Sequence, residues 1–195
     1  MSSMLTQLDV ATRDLHAGVD GYWLDLMASG VTREQYRSQL VRVYGFEAAL
    51  ESALVTTPNL VLADRLDRTR SGLLAQDLLA LGVTPGRMTA LPQADITSFD
   101  DPIEALGWKY VAERPTQLHS AIKRNIVARV PHSANALAYL SAYDGVAAAR
   151  WQSLGMLLDH ISRRPLAGER LVRAAKAAFS TMGKWFRESG YVSFL

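Results

Sequence analysis

At 195 residues, 49% of them apolar and 21% charged, the chain has the balance of one globular domain, expected to span 1–195. It has no cysteine, which excludes disulfides, thiol catalysis, thiolate metal sites, iron–sulfur clusters and zinc fingers. Lys and Arg exceed Asp and Glu by 21 to 19, too small an excess to argue for a nucleic-acid partner.

The opening residues, Met1 to Asp9, place no basic segment before an apolar run, so no secretory signal is read there. No uncharged stretch approaches the length of a membrane span, and the run Ser133 to Tyr143 ends at Asp144. The expectation is a cytoplasmic protein with no membrane partner.

Apolar residues recur at helical spacing along the chain. Leu5, Leu8, Thr12, Leu15, Val19 and Leu26 mark one face of a first helix ending near Gly30. Thr32 and Gln35 form a capping box before a second helix carrying Leu40, Val43, Phe46, Leu50 and Leu54, which Pro58 stops. A third helix is predicted from about Leu60 to Leu81, with Gly82 as its stop. Val83 to Phe99 reads as irregular, with turn signals at Pro85-Gly86 and Leu91-Pro92. Asp100 is the predicted N-cap of a fourth helix through Ile103, Leu106, Tyr110 and Val111. That pattern meets Pro115, which must kink or break it, and resumes through Leu118, Ile122 and Ile126 to Pro131. Two helices follow between Ser133 and Ser162 with a joint at Gly145, and a last one runs from Gly168 to Ser189. Period-two strand patterns are missing. The fold class is all-α, with six to eight helices.

Most catalytic signatures are absent. The residues three before the four histidines are Arg13, Thr116, Arg129 and Leu157, so no Glu-x-x-His pair of a di-iron bundle exists. There is no dinucleotide fingerprint, phosphate loop or nucleophile elbow. His132 follows Pro131 in a connection and reads as solvated. His160, just before Arg163 and Arg164, reads as a cation at a helix C-terminus. His16 lies at the edge of the first helix's apolar face and points to the core or into a pocket.

Four segments carry a resemblance. Leu8-Asp9-Val10-Ala11-Thr12-Arg13-Asp14-Leu15-His16 resembles the opening helix of heme oxygenases, most of all the bacterial type that makes biliverdin for bacteriophytochromes. Phe46 to Glu51, Leu73 to Gly82 and Ala105 to Glu113 resemble the second helix, the third and the approach to the distal helix, in order and spacing. The resemblance implies an all-α fold with His16 as proximal ligand to heme iron. Tyr110, Arg114, Leu118 and His119 would line the distal pocket. It also implies O2-dependent cleavage of heme to biliverdin, CO and iron. The implied partners are heme, an electron donor (ferredoxin, a reductase or ascorbate) and a phytochrome pathway.

The departures fall at the distal segment. The family continues Gly-Ser-Thr-Leu-Gly-Gly where this chain reads Arg114-Pro115-Thr116-Gln117-Leu118-His119. Those glycines let the backbone lie close over the porphyrin. Their replacement by Arg114, Leu118 and His119 takes space from heme or O2. Asp9 stands where the family has a basic residue, and a carboxylate repels a heme propionate. Arg170, Arg173 and Lys176 would substitute for the missing cations or form a solvated helix face.

Three functional readings are open: a heme oxygenase, a heme sensor with His119 opposite His16 on the iron, and a binding or regulatory module without heme. Against ligation of the iron, His119 also reads as a surface histidine or one that lies behind the groups in contact with heme. Trp23, Tyr110, Trp151, Phe179 and Trp185 read as core rather than cofactor contacts, with Tyr110, just before the distal segment, the exception.

Overall fold

The computed structural model describes residues 2–60 and 70–189. Every regular element among them is helical. We number the α-helices α1 (Ser3–Leu24), α2 (Arg33–Thr56), α3 (Arg70–Ala80), α4 (Pro85–Thr89), α5 (Pro102–Glu113), α6 (His119–Arg129), α7 (Ala138–Ser141), α8 (Ala147–Ser162) and α9 (Ala167–Glu188). Two 3₁₀ turns, Asp25–Met27 and Arg114–Leu118, follow α1 and α5. No helix among the described residues is long and apolar enough to cross a membrane.

Local signals set most boundaries. Ser2 caps α1 by accepting from the Leu5 N–H. The Thr32–Gln35 box caps α2 in both directions, as the sequence predicts. Gly82 and Gly145 take positive φ, +91° and +74°, where α3 ends and where α7 turns toward α8.

Several predicted boundaries move. The first helix stops at Leu24 rather than near Gly30, passing into the 3₁₀ turn. The third helix is described over Arg70–Ala80, and its predicted start, over 61–69, falls outside the described residues. The stretch taken as irregular contains α4, with Thr84 accepting from the Arg87 N–H and Pro85 in the first turn. The N-cap of α5 is Asp101, not Asp100. Its carboxylate accepts from Ile103 at 2.8 Å and Glu104 at 3.2 Å, with Pro102 as the first helical residue. At Pro115 the helical pattern breaks into the 3₁₀ turn rather than bending.

α9 is the most amphipathic element and lies centrally, packed chiefly against α5 and α1. Its buried face carries Leu171, Ala174, Ala175, Ala178, Phe179, Met182 and Phe186. Small residues let these helices approach closely. A Cβ placed on Gly107 of α5 would lie 2.5 Å from the Ala174 Cβ and 2.9 Å from the Leu171 carbonyl oxygen. A Cβ on Gly155 of α8 would lie 2.7 Å from the Leu5 Cδ1 and the Ser2 Cβ, so the side chains at the start of α1 pack directly on the α8 backbone. Asp159, one turn further along α8, accepts from the Ser2 and Ser3 hydroxyls and the Met4 N–H, which clasps the two helices together.

Gly107→Ala is therefore expected to lower unfolding stability by about 1–3 kcal/mol through overpacking. Gly21→Ala, on α1 with open space around its Cβ, should be neutral or stabilising by up to about 1 kcal/mol. Urea denaturation of both variants beside the parent checks the contrast.

Candidate functional site

Thr12 and His16 stand one turn apart on the face of α1 that meets the 3₁₀ turn after α5. The Thr12 hydroxyl donates to the Leu8 carbonyl at 2.7 Å. His16 Nε2 lies 3.0 Å from that same hydroxyl oxygen. Its Nδ1 lies 3.2 Å from Arg114 Nη2. A guanidinium has only donors, so Nδ1 accepts; the Thr12 proton is already used, so Nε2 carries the single ring proton and donates. The chain of bonds holds His16 as a neutral imidazole. Burial, then the Arg114 charge, lowers its pKa below the usual histidine value.

Arg114 is itself held by α1. Its Nη1 pairs with Asp20 at 2.5 Å, and its Nε faces Asp9 at 3.9 Å. Its side chain is 25% exposed, so the cluster sits at the edge of the protein rather than inside it. The His16 ring packs on Phe179 of α9 with centroids 5.0 Å apart. Tyr110 lies between Phe179 and Trp151, at 6.4 and 5.7 Å. Burial and the nearby Asp9 push the Tyr110 hydroxyl up to about 12.

Of the residues predicted for the distal side, Arg114 is thus brought directly onto His16, and Tyr110 is buried behind the cluster. Leu118 is half-buried and lines a groove of about 370 Å³ with Asp20, Trp23, Leu24 and Trp151. His119 is buried, which corrects the reading of it as a surface residue. It faces the core, with Tyr139 at 4.8 Å and Trp23 at 5.7 Å between ring centroids, and both ring nitrogens lack a hydrogen bond. Burial, then the Arg70 charge, drives its pKa down to about 3. Its ring neighbours are not those of His16. Of the cations considered as propionate partners, Arg170 pairs with Asp101, while Arg173 and Lys176 are exposed. His132 and His160 are exposed as expected. Trp23, Tyr110 and Phe179 are core; Trp151 and Trp185 are half-buried.

Axial binding to heme iron needs an imidazole nitrogen with a free lone pair facing a slot. In this arrangement His16 offers no free lone pair: one nitrogen carries a proton and the other accepts from Arg114. The residues as arranged do not fit an axially ligated heme. Among the described residues no group of three or more His, Asp or Glu side chains could hold a metal ion instead.

Sequence reasoning missed two buried polar groups. Arg70 is buried, donates to Glu47 at 2.7 Å and to the Ala112 carbonyl at 3.2 Å, and lies 4.0 Å from Glu113. Asp77 accepts from the Ala138 and Tyr139 N–H groups, capping α7 from across the fold. Each sits at a helical position that pattern alone assigns to the inward face, and that was the available signal.

A model of the heme oxygenase family matches residues 2–188 of the chain. No curated protein matches it.

His119 gives a test of the core. Its folded pKa lies below the unfolded one of about 6.5, so the unfolded chain binds the proton first. The contribution is full above pH 6.5 and falls by about 1.4 kcal/mol per pH unit below it, down to the folded value. His119→Phe should remove that component. Unfolding of parent and variant between pH 7 and about 4.5 is expected to show the parent losing its stability more steeply.

Proposed function

The chain belongs to the heme oxygenase family, and we propose that within it this protein is a ligand-binding member that does not cleave heme. The observation that carries this reading is the 3.2 Å contact between Arg114 and His16. Heme cleavage needs that histidine on the iron and an open face for O2. In this chain the guanidinium stands where the family pattern has a glycine.

The contact is not sufficient by itself. A part-exposed charged hydrogen bond is worth about 1–3 kcal/mol, while micromolar binding supplies about 8. Volume and charge add to it. Arg114 and Leu118 carry side chains where the family pattern has close backbone. Asp9 and Asp20 hold the guanidinium in place and oppose the carboxylates of a porphyrin. An electron donor and a phytochrome pathway belong to the cleavage reading and drop out of this one.

Hemin titration of the purified protein tests the proposal. The expected outcome is no saturable shift in the Soret region at micromolar hemin, and no biliverdin on adding ascorbate or a reductase. A saturable shift that His16→Ala abolishes, with biliverdin formed by the parent, would establish cleavage and sink the proposal. Circular dichroism of His16→Ala shows that the variant is folded.

A further inference from the structure

Beside α1 lie two grooves that share Trp151. The larger, about 900 Å³, runs between α1 and α8 and is lined by Ser2, Leu5, Thr6, Asp9, Trp151, Gln152, Met156 and Asp159. The smaller is the one that Leu118 lines. Arg114 bridges them, reaching Asp9 of the larger and Asp20 of the smaller. The larger groove is of ordinary size for a small-molecule site.

Its chemistry is lopsided. Leu5, Trp151 and Met156 make an apolar side, and Met156 is 67% exposed. A methionine left in water beside an indole is a soft surface suited to an apolar ligand. The charges lining the groove are both negative. Asp159 is held ionised by the Met4 N–H and the Ser2 and Ser3 hydroxyls, which lower its pKa. The Asp9 side chain is 51% exposed, and among the described residues its ion pair is the 3.9 Å approach of Arg114.

We propose that this groove binds an organic cation with an apolar body, the body lying on Leu5, Trp151 and Met156 and the positive nitrogen facing Asp9. The indole adds cation–π attraction. The same carboxylates turn away fatty acids and other amphipathic anions. The proposal rests on the reading that this protein does not cleave heme, and it names a ligand class for a groove beside His16.

The probes are decyltrimethylammonium and decanoate, both below their micellar concentrations, with calorimetry and tryptophan fluorescence as readouts and hemin titrated in parallel. The cation is expected to bind saturably at one site, and decanoate at least about tenfold more weakly. Asp9→Lys, a change on an exposed side chain, should weaken the cation at least about tenfold. Asp14→Lys, the same charge change on a residue lining neither groove, should leave it unchanged. Trp151→Ala should weaken binding and remove the fluorescence change. No saturable cation binding, equal binding of decanoate, or indifference to Asp9→Lys would overturn the proposal. If hemin also fails to bind, the non-cleaving reading stands alone; a saturable hemin signal lost in His16→Ala, with biliverdin formed by the parent, overturns that reading as well.

Discussion

The geometry of the site depends on what Pro115 does to the chain. Proline has no N–H to give the preceding turn, and its ring crowds the carbonyl four residues back. The chain responds with five residues of 3₁₀ turn, Arg114–Leu118. A 3₁₀ turn advances 120° per residue against 100° in an α-helix, so about 100° of rotation accumulates over that segment. Arg114, at its start, faces α1 and meets His16. His119, just past its end, has been turned into the core against Trp23 and Tyr139. A continuous helix would not distribute these two side chains in this way.

This is also where the sequence was hardest to read. A proline inside a helical pattern predicts a kink or a break, but not the phase of the helix beyond it. The spacing of His119 to Ile122 and Ile126 places it on their face of the helix, but does not say which part of the fold that face meets. Elsewhere local chemistry sufficed. Thr32 and Gln35 specify the start of α2 whatever packs around it, and Gly82 and Gly145 mark backbone positions that other residues adopt with difficulty. Asp100 and Asp101 are equal candidates by residue type. Pro102 decides between them, because it takes the first helical position and leaves its predecessor as the cap.

The polar contacts of the candidate site were not legible, because they join distant parts of the chain. Arg114 binds His16 and Asp20, 98 and 94 residues away. Asp77 caps α7 from 61 residues upstream, so a helix with no cap in its own sequence begins where another helix supplies one. His16 was legible as a residue of interest, and Asp9 and Arg114 as departures at its neighbourhood. That the departures pair with one another, and that Arg114 reaches the histidine, is a property of the fold.

Gly155 sets a limit of a different kind. Where α8 meets α1, the missing side chain of that residue leaves room for the Ser2 Cβ and the end of the Leu5 side chain, so those two residues set the separation of the helices. The gap beside their crossing therefore has a width that the other lining residues do not control. Substitutions at Thr6, Asp9, Gln152 or Met156 can change the character of the walls without moving them. A lineage carrying this frame is free to exchange one guest for another by altering a handful of surface side chains, while the frame itself stays under the selection that keeps the protein folded.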